Sequence, residues 1–190
     1  MGALTWAEDA LARAGSASDP EISAWAASTR VRYGVPRDGA RWRLAPEDDA
    51  ATVTSIRGIL ALINGNKLDA AATAARGAEE RWPGLPGLLA MRCDLELRRH
   101  ALAAARRLCA RAIAQGHSSW ALYLSGVLDL QSANPAGDAA GIAHLRQAIE
   151  LDPELAQAWR TLAKALERTR AIAQLEQLRR DYQARFGSSL

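Results

Sequence analysis

Lysine is almost missing from this sequence: Lys67 and Lys164 are the two in 190 residues, although Lys and Arg together number 24. Nearly every positive charge therefore sits on a guanidinium, which can hold a carboxylate or phosphate through two parallel hydrogen bonds. The same bias fits a GC-rich genome, and we read it as compositional. Phenylalanine occurs once, as Phe186, and tyrosine three times. β-branched runs of strand length are missing, so a β architecture has little to build on. Two cysteines, Cys93 and Cys109, make neither a disulfide framework nor a metal quartet, and the three histidines add no ligand-spaced cluster. Both thiols are expected to be buried and reduced, with no metal and no cofactor. No apolar run approaches the roughly 20 residues a membrane span needs. The start Met1-Gly2-Ala3-Leu4-Thr5-Trp6 lacks the charged and apolar regions of a signal peptide and has Trp6 where myristoylation wants Ser or Thr. The expectation is a cytoplasmic protein with no membrane insertion. Net charge is +3 with a pI near 9.2, short of the concentrated field of a nucleic-acid binder.

What is abundant is alanine, which makes up much of the 49% hydrophobic content. Alanine favours helix strongly and buries little surface. Helix ends are legible throughout. Thr5 caps a short helix to Ala14, and Asp19-Pro20-Glu21 supplies a cap, a proline at the first helical position and an acidic first turn before Ile22–Tyr33. Gly34 ends that helix, and the stretch to Leu44 reads as a linker packing Trp42. Pro46-Glu47-Asp48-Asp49 opens the next helix, which carries Val53, Ile56, Ile59, Leu60 and Ile63 until Asn64-Gly65-Asn66 breaks it. Further helices are predicted over Leu68–Arg81, Pro86–Arg98, Ala101–Gln115, Ser119–Leu130, Ala139–Leu151, Glu154–Arg168 and Ala171–Phe186. Their connections are short enough to force antiparallel neighbours. Residues 1–45 thus form a helical extension and linker, possible as a degenerate hairpin, and 46–190 a run of about four hairpins.

Superposing the hairpins puts Gly58, Arg92 and Gly126 in one column at a spacing of 34, with Ala163 following if three residues are inserted in the loop Ser132–Asp138. Small residues recur where paired helices must approach closely: Gly58, Gly126 and Ala163 on first helices, Ala70, Ala104 and Gly141 on second ones. Arg92 in a small column, Leu175 where alanine is expected, and Gly116 in place of a closing proline depart from the pattern.

The stretch Gly141-Ile142-Ala143-His144-Leu145-Arg146-Gln147-Ala148-Ile149-Glu150-Leu151-Asp152-Pro153, with Trp159, Leu162 and Ala163 beyond, resembles the second helix of one tetratricopeptide repeat and the first helix of the next. The match is best over residues 118–170. Gly141 and Ala148 stand at that family's small positions, Leu145 at its large one and Pro153 at its terminator. The resemblance implies an all-α, right-handed superhelical α-solenoid with a polar C-terminal capping helix, and a concave groove lined by first helices. Carried over residue by residue, one groove column reads Ser55, Leu89, Tyr123 and Arg160, and the next Ile59, Cys93, Val127 and Lys164, with Trp120 one turn before Tyr123. Such a groove would take a peptide or partner protein, with apolar side chains in its middle and a carboxylate at the Arg160–Lys164 end. The Lys and Asn set of the family's carboxylate-clamp members is missing from these columns, which argues against a chaperone-tail clamp.

No catalytic motif is present: no glycine-rich phosphate loop, no His-Glu-x-x-His, no Gly-x-Ser-x-Gly. Cys93 and His100 share a helical face but have no third orienting group. The densest positive stretch, Arg98, Arg99, Arg106, Arg107 and Arg111, has no interleaved aromatics for base stacking and reads as a solvated face, so nucleic acid is disfavoured. The expected function is a non-catalytic protein-interaction module. An RNA-binding repeat using the arginine face, or an accessory domain of a larger enzyme, are the competing classes.

Overall fold

A computed structural model describes residues 46–83, 87–116 and 118–190. The expected helices over 5–14 and 22–33, and the linker around Trp42, lie outside the described residues. The fold class is all-α, an α-solenoid of consecutive helical hairpins, with no strand among the described residues. The chain divides into two compact units, Met1–Ser118 and Ser119–Leu190.

The first unit contains α1 (Pro46–Asn64), α2 (Leu68–Arg81), α3 (Leu88–Arg98) and α4 (Leu102–Gly116), each packed on its neighbour in sequence. Its core is thin, as alanine-rich helices dictate. Ile59 of α1 meets Ala71, Ala72, Ala75 and Ala78 of α2, and Trp82, Leu88 and Leu95 complete the cluster. Charge pairing adds to this. Glu79 of α2 accepts from Arg92 of α3 and from Arg111 of α4, the latter at 2.6 Å. Arg99 joins Asp69 and Glu96 at 2.6 and 2.7 Å. Arg92 in the small column is half-buried and its guanidinium ends on a carboxylate.

The cysteines correct an expectation. Cys93 of α3 and Cys109 of α4 form a disulfide, with Cα atoms 5.3 Å apart and both residues fully buried. Two cysteines on separate helices look isolated in sequence, yet antiparallel pairing of α3 with α4 brings them to bridging distance. The expectation of reduced thiols is thereby overturned, and the cysteines lend no support to the expected cytoplasmic location.

The second unit contains α5 (Ser119–Leu130), α6 (Pro135–Leu151), α7 (Ala156–Arg168) and α8 (Ile172–Phe186). Each packs on the next, and α5 also touches α7, so first helices of successive hairpins lie side by side. α5 and α6 meet glycine to glycine. A Cβ on Gly126 would stand 3.1 Å from the Gly141 carbonyl oxygen, and one on Gly141 would stand 3.0 Å from the Gly126 carbonyl oxygen. Asp152 is fully buried where α6 ends. Its Oδ1 accepts the backbone N–H of Glu154 at 3.2 Å, and its Oδ2 accepts the Ser119 hydroxyl at 3.5 Å, fastening this turn to the start of α5. Trp159 donates its indole N–H to the Pro153 carbonyl at 2.9 Å and packs edge-on to Tyr182 and Phe186.

α6 begins four residues before the expected Ala139. Asn134 caps it by accepting the N–H of Gly137 at 2.9 Å, and Pro135 takes the first turn, where its missing N–H costs nothing. Of the loop expected over Ser132–Asp138, Pro135–Asp138 are therefore helix, and the turn is Gln131–Asn134. Gly58 and Ala70 also depart from expectation. A Cβ on Gly58 would meet nothing within 4 Å, and Ala70 is exposed. In the first hairpin the close approach is made by Ala71, Ala72 and Ala75, one register step away.

The turns inside the hairpins share a geometry that the sequence hides. Asn66, His100, Ala133 and Arg170 each take a left-handed φ between 49° and 59° just before a second helix. At three of them the two backbone bonds of a Schellman cap close the preceding helix. Asn66 N–H bonds Ile63 and Lys67 N–H bonds Leu62. His100 and Ala101 repeat this on Leu97 and Glu96, and Arg170 and Ala171 on Glu167 and Leu166. Asn66 and His100 lie 34 residues apart, so the structural repeat has the period read from the small residues.

Candidate binding surface

Helix packing decides which of the expected groove residues have side chains to offer. On α3, Leu89 is 5% exposed and Cys93 is bonded to Cys109, so both belong to the core of the first unit. Ile59 on α1 is likewise buried. Ser55 is half-buried and lines a groove between α1 and α2.

The remaining five residues all lie in the second unit, on α5 and α7. Trp120, Tyr123 and Val127 fall at i, i+3 and i+7 of α5 and are half-buried, with Trp120 and Tyr123 ring centroids 5.0 Å apart at 39°. Half-burial of two large rings leaves apolar area at the surface, as a binding face requires. Arg160 and Lys164 follow each other by one turn of α7, and both are exposed. They make no ion pair and no side-chain hydrogen bond among the described residues. Neighbouring cations are occupied: Arg168 pairs with Asp138, Arg179 with Glu167 at 2.8 Å and Arg185 with Glu154 at 2.6 Å. Arg160 and Lys164 lie on α7, which contacts α5, the helix that carries the aromatic pair.

The arginine-rich stretch behaves differently. Arg98 pairs with Asp94 at 2.9 Å, and Arg99 and Arg111 pair as given above. Burial holds the Arg92 guanidinium below its ordinary pKa, with the charge of Arg111 adding to the effect. The hydrogen bond from Arg99 to Asp69 holds that guanidinium above its ordinary value. Much of this face is engaged with its own carboxylates, which lowers its capacity for phosphate.

A second concavity lies between α6, α7 and α8, a cleft of about 450 Å³ over Trp159, Leu162 and Leu178 with Arg146, Glu150 and Asp181 at its rim. Spacing gave no hint of it, since it depends on how α8 returns across α7. Among the described residues no group of three His, Cys, Asp or Glu is placed to hold a metal ion, and no helix is long and apolar enough to cross a membrane.

No protein-family profile matches this sequence, and no curated protein matches it. Among solved structures it is similar to the human IFIT1 dimer with PPP-AAAA, at a TM-score of 0.58 and 14% identity over 93% of this chain. The chain spans 45% of that neighbour's length. The likeness is one of fold, and the fold in common is a helical repeat.

Proposed function

We propose that this chain is a non-catalytic, tetratricopeptide-like interaction module that holds a segment of a partner protein on the α5–α7 face of its second unit. The observation that carries the reading is the exposed Arg160–Lys164 step on α7, a helix that packs on the α5 carrying the half-buried Trp120–Tyr123 pair. A peptide with apolar side chains for the rings and a carboxylate for the cations has the matching chemistry. Exposed cations add specificity and association rate, and the aromatic pair supplies the buried anchor.

The test is affinity capture from the native host with the unmodified chain, the Tyr123→Ala variant and the Arg160→Glu variant. Both substitutions are expected to weaken retention of the same partner about tenfold or more while helicity is kept. Unchanged retention by both would make the face assignment wrong.

One observation favours a second reading, in which the ligand is nucleic acid: the neighbour in fold is a complex with PPP-AAAA. Binding to generic RNA that falls steeply with salt would support it, because neutralised phosphates release counterions. That neighbour is about twice as long as this chain, so a role as one part of a longer protein, an enzyme included, belongs with these proposals.

A further inference from the structure

α6 and α8 are the second helices of successive hairpins in the second unit, and α7 packs on both. The cleft of about 450 Å³ between them falls within the size range of ligand sites. Its floor is apolar and fixed in place: Leu162 of α7 and Leu178 of α8 are buried, and Trp159 is held by its bond to the Pro153 carbonyl. Its walls carry charge unevenly. At one end Arg146 of α6 donates to Gln174 of α8 at 2.7 Å, which ties the walls together there. One turn further along α6 stands Glu150, and two turns further along α8 stands Asp181. Both line the cleft and both are exposed.

These two carboxylates lack a cation. Glu150 makes no ion pair and no side-chain hydrogen bond among the described residues, and Asp181 accepts from the neutral Gln177 amide at 2.8 Å. Arginines close by in sequence are directed elsewhere: Arg179 to Glu167, Arg185 to Glu154, and Arg180 to Oε1 of Gln177 at 2.7 Å. The first unit differs at the corresponding pair of helices. There Glu79 of α2 holds the Arg111 guanidinium of α4 at 2.6 Å, so the chain supplies its own cation. In the second unit the carboxylates are present and, among the described residues, no guanidinium reaches them.

A cation on a long apolar stem has the complementary chemistry, because the stem covers an apolar floor while the head stays at the rim. Arginine suits this better than lysine: its planar fork gives parallel hydrogen bonds to a carboxylate, and its weaker hydration lowers the cost of leaving water. We propose that the α6–α8 cleft is a second recognition site, which takes an arginine and an adjoining apolar side chain from a segment of a partner protein, with Glu150 and Asp181 holding the guanidinium. It shares none of the residues assigned to the α5–α7 face, and it asks the opposite charge of its ligand.

Titration of the full chain, labelled with nitrogen-15, with N-acetyl-leucyl-arginine amide up to about 20 mM tests it by NMR, in the range where contacts of one or two side chains are read. Saturable shifts are expected at Ile149, Leu178 and the Trp159 indole. The leucyl-citrulline analogue, alike in shape but uncharged, should bind about tenfold more weakly. Glu150→Gln and Asp181→Asn should each weaken the arginine peptide about threefold and together about tenfold, and both positions are exposed, so the fold is kept. Tyr123→Ala should leave this binding unchanged, which separates the cleft from the α5–α7 face. The absence of shifts at the cleft would overturn the proposal, as would equal affinity for the citrulline peptide or unchanged affinity in the double variant. Shifts confined to α5 and lost in Tyr123→Ala would overturn it too.

Discussion

Gly126 and Gly141 show what a single side chain decides in this protein. A methyl group at Gly141 would stand 2.7 Å from Leu130 Cγ and 3.0 Å from the carbonyl oxygen of Gly126. The leucine can turn away, but the backbone oxygen cannot without separating α5 from α6. Gly141→Ala is therefore expected to destabilise by about 2 kcal/mol, overpacking outweighing the better helix propensity of alanine. Gly77, exposed on α2 with nothing within 4 Å of an added Cβ, is the control. Gly77→Ala should stabilise by about 1 kcal/mol. Denaturant titration of the two variants checks both signs. In the sequence these glycines look alike, and Gly58 looks like a better contact residue than Gly77. Spacing identifies candidate contacts, and only the neighbour across the interface shows which are used.

At the scale of the helix and its turn, the left-handed residues are the least legible feature. Glycine is the usual signal for such a position, yet Asn66, His100, Ala133 and Arg170 occupy it here, and Gly65 beside Asn66 does not. The strain of a Cβ in this region is of order 1 kcal/mol. His100→Gly and Arg170→Gly should each raise stability by about 1 kcal/mol or less, readable as a shift in denaturant midpoint with unchanged slope. A loss of stability in both would mean that the side chains contribute more than the strain costs. The start of α6 teaches the complementary lesson. Asn134-Pro135-Ala136-Gly137 has loop composition, but a cap, a proline and a close-approach glycine are also what a helix start requires. Gly137 is required because a Cβ there would lie 2.6 Å from the Asp129 carbonyl oxygen.

Across the whole molecule, the described core of the first unit is richer in alanine and that of the second richer in leucine. The Cys93–Cys109 bridge closes a loop of sequence separation 16, a constraint worth about 3 kcal/mol in the chain-entropy account. Reduction should lower the melting temperature of the first unit by about 12 °C. Non-reducing peptide mapping should recover the two cysteines in one linked species, and two free thiols in the native protein would contradict the bridge. Sequence by itself determined the all-α class, the succession of short hairpins and most helix ends, because caps, breakers and apolar period act over a few residues along the chain. Tertiary structure alone decided that the cysteines pair, that Leu89 is core, that the Arg98–Arg111 stretch is largely spent on its own carboxylates, and that the helix of Arg160 and Lys164 packs on that of Trp120 and Tyr123. Those outcomes depend on which side chains meet across space, and helical spacing specifies a face without specifying what lies opposite it.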